Sequence, residues 1–234
     1  MKSPSFLSFF VNFFSNNDIT MIKKEKIPKV TIHRMALYLQ VLEELDREGE
    51  DVISSNKLAQ LCGVNPSQIR KDLAYFGEFG VRGVGYFIKD LIASIKHFLG
   101  LDHVWNCAIV GIGNLGRAIL RHKALSHRGY RIVGAFDCDP FKIGEKVGDL
   151  EIICTRRLKE KAKELKIEIA IITTPPERAQ RAANHIVEAG IKAIVNFAPA
   201  RISVPEDVIV DYVDFSTHLI YLSFNLARTK GQNI

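Results

Sequence analysis

Residues 107–120 read CAIVGIGNLGRAIL. A short apolar run opens onto a glycine-rich turn, and the turn opens onto a helix with apolar spacing. The turn itself, GIGNLG at 111–116, has the GxGxxG spacing in the strand–turn–helix context that gives the pattern meaning. Gly111 permits the tight turn, Gly113 lets a pyrophosphate come close, and Gly116 lets helix and strand pack together. The same pattern expects an acid at the end of the following strand. RIVGAFD supplies it as Asp137, 21 positions after Gly116. A carboxylate there can accept hydrogen bonds from ribose hydroxyls and would repel a 2′-phosphate, so NAD(H) is expected over NADP(H). Arg128 precedes that strand and Arg131 opens it, so neither is placed to rescue such a phosphate.

The surrounding chain continues the theme. EIAIITT (168–174) and AIVNFAP (193–199) read as further strands, separated by the helix ERAQRAANHIVEAG. Alternating strand and helix predict a parallel sheet. The last segment, FSTHLIYLSFNLART (215–229), is apolar at 215, 219, 220, 222, 224 and 226. A helix apolar on several sides must be buried somewhere.

Upstream the periodicity is different. VTIHRMALYLQVLEELD (30–46) places apolar side chains at 35, 38, 39, 42 and 45, which is helical spacing, and Gly49 ends it. Ser54 or Ser55 can cap the next helix, NKLAQLC, which stops at Gly63. In VNPSQIRKDLAYF, Asn65 is an N-cap, Pro66 fits the first helical position, and Gln68 completes a capping-box spacing. Ile69, Leu73 and Phe76 should face the core; Ser67, Gln68, Lys71 and Tyr75 face outward with Arg70 at the edge. Two short helices joined by a glycine turn read as helix-turn-helix. GEFGVRGVGYFI then reads as two short strands around a glycine turn, a wing, and residues 88–99 close the domain as a helix.

Such a helix can enter a DNA major groove. Gln68 would pair with adenine, and Arg70 or Lys71 with guanine or phosphate. Arg82 would reach the adjacent minor groove, with Gly80, Gly83 and Gly85 permitting close backbone approach. The formal net charge of +6 suits a polyanionic partner. Six acids crowd into EELDREGED (43–51), which leaves the rest of 21–100 strongly basic.

Other classes are narrowed. Cys62, Cys107, Cys138 and Cys154 form no CxxC pair, so they read as reduced thiols of a cytosolic protein without disulfide or metal site. No apolar run reaches the ~20 residues that span a bilayer. Residues 1–20 hold five phenylalanines but lack signal-peptide features, and are expected to be a disordered or mis-started extension before Met21.

In IRKDLAYFGEFGVRGVGY, VGIGNLGRAI, FDCDPFKIG, VNFAP and VDFS, in that order and spacing, the chain resembles the redox-sensing transcriptional repressor Rex family over about 28–228. The resemblance implies a homodimer that senses the NADH/NAD⁺ ratio, with no catalytic role. Each subunit would hold a winged-helix domain (21–102), a Rossmann domain (103–212) and a C-terminal helix (213–234) exchanged with the partner. NADH would close the dimer and release a palindromic operator, while NAD⁺ competes and is compatible with repression. It further implies that Gly111, Ile112, Gly113, Asn114, Leu115, Gly116 and Asp137 bind the adenosine and pyrophosphate end. Thr174, Pro175, Asn196, Phe197 and Pro199 would line the nicotinamide side, with Asp214 and Phe215 near the ring. Arg34 matches an arginine that contacts this aspartate from the other subunit in one state. Some family members place a tyrosine in that switch; here the position is His122, whose imidazole can hydrogen-bond to Asp214.

Three rivals stay in view. A small NAD-dependent oxidoreductase would need an acid/base pair beside the nicotinamide strands, and none stands out; His185 and His218 read as core or interface residues. A coenzyme A sensor would share the fold, but Asp137 argues against it. Direct thiol sensing at Cys62 or Cys138 has no activating neighbour in the sequence.

Overall fold

The computed structural model describes residues 27–77, 79–81, 83–122 and 124–229. The expectation for residues 1–20 and the reading of Arg82 therefore lie outside the described residues.

The chain divides between Gly100 and Leu101 into two units. The first is built on α1 (Lys29–Glu48), β1 (Val52–Ile53), α2 (Ser55–Cys62), α3 (Pro66–Ala74), β2 (Tyr86–Phe87) and α4 (Ile88–Phe98). Its core follows the helical spacing: Met35, Tyr38 and Leu42 of α1, Leu58 of α2, Ile69 and Leu73 of α3, and Ile88, Leu91 and Ile95 of α4 are buried. The punctuation is that of the sequence. Gly49 ends α1 in the left-handed region, with its N–H and that of Glu50 closing onto Asp46 and Leu45. Ser54 caps α2 by accepting from Lys57 N–H, and Asn65 caps α3 by accepting from Gln68 N–H at 2.9 Å.

The wing departs from expectation. Its second strand, β2, pairs antiparallel with β1, Val52 opposite Phe87 and Ile53 opposite Tyr86. The glycine turn itself closes through one bridge, Val81 to Gly85. Gly85 is required by this pairing rather than by a partner: a Cβ there would lie 2.5 Å from the Ile53 carbonyl oxygen. Gly83, by contrast, faces open space.

The second unit holds a seven-stranded sheet among the described residues. In chain order it runs β3 (Trp105–Val110), α5 (Asn114–Arg121), α6 (Ala124–His127), β4 (Tyr130–Asp137), β5 (Lys146–Val147), β6 (Leu150–Cys154), α7 (Leu158–Glu164), β7 (Ile169–Ile172), α8 (Pro176–Glu188), β8 (Ala193–Asn196), β9 (Ile209–Tyr212) and α9 (Ser216–Thr229). The spatial order is β5-β6-β4-β3-β7-β8-β9, parallel throughout except for the β5–β6 pair. Apart from the edge strand β5, this is the 3-2-1-4-5-6 order of a dinucleotide-binding sheet, with the reversal of direction between β3 and β7. Ala108 and Val110 face a core with α7 and α8, while Ile109 faces a second core with Ile112, Ala135 and Ile152. Burial on both faces explains why these strands read as continuous apolar runs. Strands β5, β6 and β9 escaped the sequence reading because they are partly exposed, so neither run nor alternation marks them.

Helix α9 is present as expected, yet within the chain it is not buried. Leu219, Ile220, Leu222, Phe224 and Leu226 are all exposed.

Candidate nucleic-acid interface and nucleotide cleft

In the first unit, α3 presents Ser67, Arg70 and Lys71 to solvent, with Gln68 and, at the C-cap, Tyr75 half-buried. Gly83 is exposed on the wing. Arg70 is braced rather than loose: it donates to Ser55 Oγ at 3.0 Å and to Ser67 Oγ at 3.3 Å. Gln68 does not complete the capping box. Its Nε2 donates forward to Asp72 Oδ1 at 2.8 Å, because Asp72 offers a buried charged acceptor one turn on.

Asp72 is the residue that sequence reasoning missed. Its side chain is almost fully buried and takes a two-pronged contact from Arg34, Nε to Oδ2 at 2.6 Å and Nη2 to Oδ1 at 2.7 Å. Tyr38 O–H adds a bond to Oδ2 at 2.8 Å. Burial alone would raise this carboxyl's pKa, but the bonds from Arg34, Tyr38 and Gln68 outweigh it and hold the group below the usual range. The same contact raises the Arg34 guanidinium, and burial with the Asp72 bond raises Tyr38. Arg34, expected from the resemblance to face Asp214 of a partner, thus holds an intrachain ion pair. The only available signal was an aspartate one helical turn after a half-exposed glutamine, which is weak.

In the second unit a cleft of about 620 Å³ opens at the carboxyl ends of β3, β4, β6 and β7. That size suits a cofactor site. It is lined by Gly111, Gly113, Asp137, Thr174 and Pro175 from the sequence-predicted set. The glycines divide their work as expected. Gly111 has φ near 102°, and a Cβ on it would meet Thr174 at 2.7 Å. A Cβ on Gly116 would meet the Gly111 carbonyl oxygen at 2.4 Å, so helix and turn can touch only without a side chain. A Cβ on Gly113 meets nothing within 4 Å: it faces the cleft. Ile112 is buried beneath the turn, while Asn114 and Leu115 are exposed on α5.

Asp137 lines the cleft but is less open than a free carboxylate. Oδ2 accepts from Ile112 N–H at 2.7 Å and from Lys142 Nζ at 3.1 Å; Oδ1 accepts from Asp139 N–H at 2.9 Å. Burial pushes the group up, and these donors more than reverse it, so it sits below the usual carboxylate range. Three of roughly four lone-pair sites are occupied, which leaves room for one further donor. A second group is poised the other way. Thr174 Oγ1 is buried at the cleft without a hydrogen-bond partner among the described residues. An orphaned hydroxyl and an open glycine lining one cleft fit a polar ligand such as a dinucleotide.

The remaining cofactor candidates do not share that cleft. Asn196, Pro199 and Asp214 line a smaller depression of about 240 Å³ with Arg201 and Tyr212. Asn196 is buried and shapes its own loop, accepting from Ala198 N–H and donating to Ala200 O. Phe197 packs onto the apolar layer of Ile109 and Ile112. Asp214 accepts from Ser216, which lowers its pKa, and Phe215 is 75% exposed. His122 follows α5 and is exposed.

Sequence reasoning also missed the cations of the cleft: Lys142, Arg156, Arg178 and Arg181. For Arg178 and Arg181 the signal was positional, since a helix that starts at a sheet end turns its first polar residues toward the crevice there. His185 lines the cleft too, half-buried rather than in the core. The thiols differ. Burial pushes Cys62 up to about 11, which makes it a poor nucleophile. Cys138 is exposed at the cleft and accepts from Arg178 Nη1 at 3.6 Å, a cation the sequence did not place there. Among the described residues no group of His, Cys, Asp or Glu is arranged to hold a metal, and no helix is long and apolar enough to cross a membrane.

Residues 102–200 match a family model described as "CoA binding domain", and residues 26–74 match "Putative DNA-binding protein N-terminus". A curated relative from Solidesulfovibrio magneticus, named redox-sensing transcriptional repressor Rex, is 62% identical over 212 residues, covering 91% of this chain and 96% of its own length. The chain belongs to the Rex family. A second Rex protein, from Maridesulfovibrio salexigens, is 64% identical over 206 residues, covering 88% and 99%. The likeness extends to solved structures of RSP, a Rex-family repressor. RSP in complex with NAD⁺ and operator DNA is 38% identical with a TM-score of 0.82, covering 87% of this chain and 94% of RSP. RSP in complex with NADH is 36% identical with a TM-score of 0.81, covering 88% and 97%.

Proposed function

We propose that this Rex-family chain is a cytosolic transcriptional repressor, not an enzyme, that binds a palindromic operator as a homodimer and releases it when NADH fills the Gly111–Gly116 cleft. The observation that carries the reading is the cleft itself. An open Gly113, the orphaned Thr174 hydroxyl and Asp137 converge at the switch point of the sheet, in a chain whose other unit carries a capped, basic-tipped helix-turn-helix. Gly113 and the N-terminus of α5 would take the pyrophosphate, and Asp137 the adenosine ribose. The nicotinamide supplies a ring that is positively charged when oxidised and neutral when reduced. Phe197 and the apolar layer behind it disfavour an uncompensated charge, so the chain's own residues favour the neutral form. Asp214 and Arg34 remain candidates for a contact between subunits, with His122 in the neighbouring role; for Arg34 that contact means giving up Asp72.

Release of DNA follows from linkage. If NADH prefers the arrangement that does not grip DNA, it weakens DNA binding by the same factor, roughly 5- to 150-fold. Exposed α9 supports pairing, because an apolar helix left in water is costly and a second copy can cover it. Two-fold symmetry then asks for half-sites about one or more helical turns apart. A coenzyme A ligand, suggested by the wording of the matched family model, would bring a 3′-phosphate to the cleft. The arginines there could meet it, but Asp137 favours free ribose hydroxyls.

The test is fluorescence anisotropy with a labelled palindromic duplex, titrated separately with NADH, NAD⁺ and coenzyme A. Release by NADH at concentrations where the others leave the complex intact is expected. Equal grip with and without NADH defeats the reading. Deleting residues 216–234 should give a monomer by light scattering; a dimer would remove the exchanged-helix idea.

A further inference from the structure

The operator-binding reading leaves one buried charge without a task. Asp72 sits on α3 one turn after Gln68, with its side chain 1% exposed. Each of its oxygens accepts two hydrogen bonds: Oδ1 from Arg34 Nη2 and Gln68 Nε2, Oδ2 from Arg34 Nε and Tyr38 O–H. An ionised carboxylate can only accept. The edge of Gln68 that meets it must therefore be the amide NH₂, and the amide cannot flip without setting oxygen against oxygen. This leaves Gln68 with Oε1 and one N–H for anything outside. Gln68 is the third residue of α3 after the Asn65 cap, at the end of a reading helix that meets base edges. One acceptor beside one donor complements the N6–H and N7 edge of adenine.

We propose that Asp72 is a specificity-positioning residue, whose carboxylate fixes the Gln68 amide in the one orientation that reads adenine in the major groove. Arg34 and Tyr38 of α1 hold Asp72 in turn, so the base-reading edge is set from the body of the domain. The proposal rests on the operator-binding reading, and wild-type protein with no preference for operator over random duplex defeats both.

The experiment is a single-base-pair scan of the operator by anisotropy, on wild type, Gln68→Ala and Asp72→Asn. Gln68→Ala should lose discrimination at one adenine position per half-site, which identifies the base read; if no position responds, the proposal fails. Asp72→Asn can donate as well as accept, so the Gln68 amide is free to flip. Its discrimination at that same position should fall from roughly 5- to 150-fold toward none, with the other positions unchanged. Wild-type discrimination in Asp72→Asn, or a uniform loss at every position, overturns the proposal, the latter being the signature of a merely structural role. Should Asp72→Asn not fold, side-chain amide NMR of the wild type without DNA decides. Of the two Gln68 Nε2 protons, assigned by their absence in Gln68→Ala, one should be protected from exchange. A pair that exchanges like a solvated glutamine overturns it.

Discussion

The reading helix and the nucleotide cleft handle their polar groups in opposite ways. On α3 the buried polar atoms are satisfied in advance: Asp72 has four donors, and Gln68 and Arg70 are braced from within the chain. In the cleft, Thr174 Oγ1 is buried with no partner, and Gly113 borders empty space. A surface that must present a fixed pattern to a base edge gains from a rigid frame. A pocket that must prefer one ligand gains from groups that only the ligand satisfies.

The largest expected effect breaks the first half of this contrast. Asp72→Ala removes a buried anion and strands the Tyr38 hydroxyl beside Arg34. Because the Arg34 side chain is 25% exposed and can partly rehydrate, a loss of about 3 kcal/mol is expected, the low end for a broken buried pair. Urea denaturation measures it, and a loss below about 1 kcal/mol would show that the pair is no more than a surface contact.

The glycine turn gives a paired test of the second half. Gly116→Val drives a side chain into the Gly111 carbonyl and should cost about 1–3 kcal/mol or more, together with the NADH response. Gly113→Ala has room for its methyl, so its Tm should stay at the wild-type value while NADH affinity drops at least about tenfold (about 1.4 kcal/mol). Thermal melts and calorimetric titration separate the two; a destabilised Gly113→Ala would mean that the open space is not free.

Acid sharpens the comparison. The carboxyls of Asp72 and Asp137 are lower in the folded chain than in the unfolded one. Their contribution is therefore present above the unfolded value near ~4 and is lost as pH falls through the folded values. Tm should drop below about pH 4, and Asp72→Asn should show a shallower drop than wild type. Identical acid limbs would remove Asp72 from the account.

The smallest effect has the reverse sign. Thr174→Val replaces an orphaned hydroxyl with a methyl of similar size and should leave stability unchanged or raise it by up to about 1 kcal/mol, while NADH affinity falls a few-fold. A loss of stability would reveal a partner for the hydroxyl.

What was legible in the sequence was whatever has a local cause. Caps at Asn65 and Ser54, the stop at Gly49 and the close contact of Gly116 with the Gly111 carbonyl depend on neighbours a few residues away, and each stands in the structure as read. What was hidden depends on residues far apart in the chain. Arg34 and Asp72 are 38 positions apart, and nothing in either segment announces the other. The pairing of β2 with β1, instead of a self-contained hairpin, joins residues 52–53 to 86–87. The arginines of the cleft likewise emerge only when the strand ends converge.

The outward-facing leucines, isoleucine and phenylalanine of α9 carry a consequence for the newborn chain. Until a second copy covers that helix, as proposed above, an unpaired chain would display an apolar surface open to unwanted association. Synthesis of neighbouring copies on one messenger would shorten this interval, and a lone copy would be cleared. On that reading, the abundance of the protein in a growing cell would depend on how quickly two chains meet.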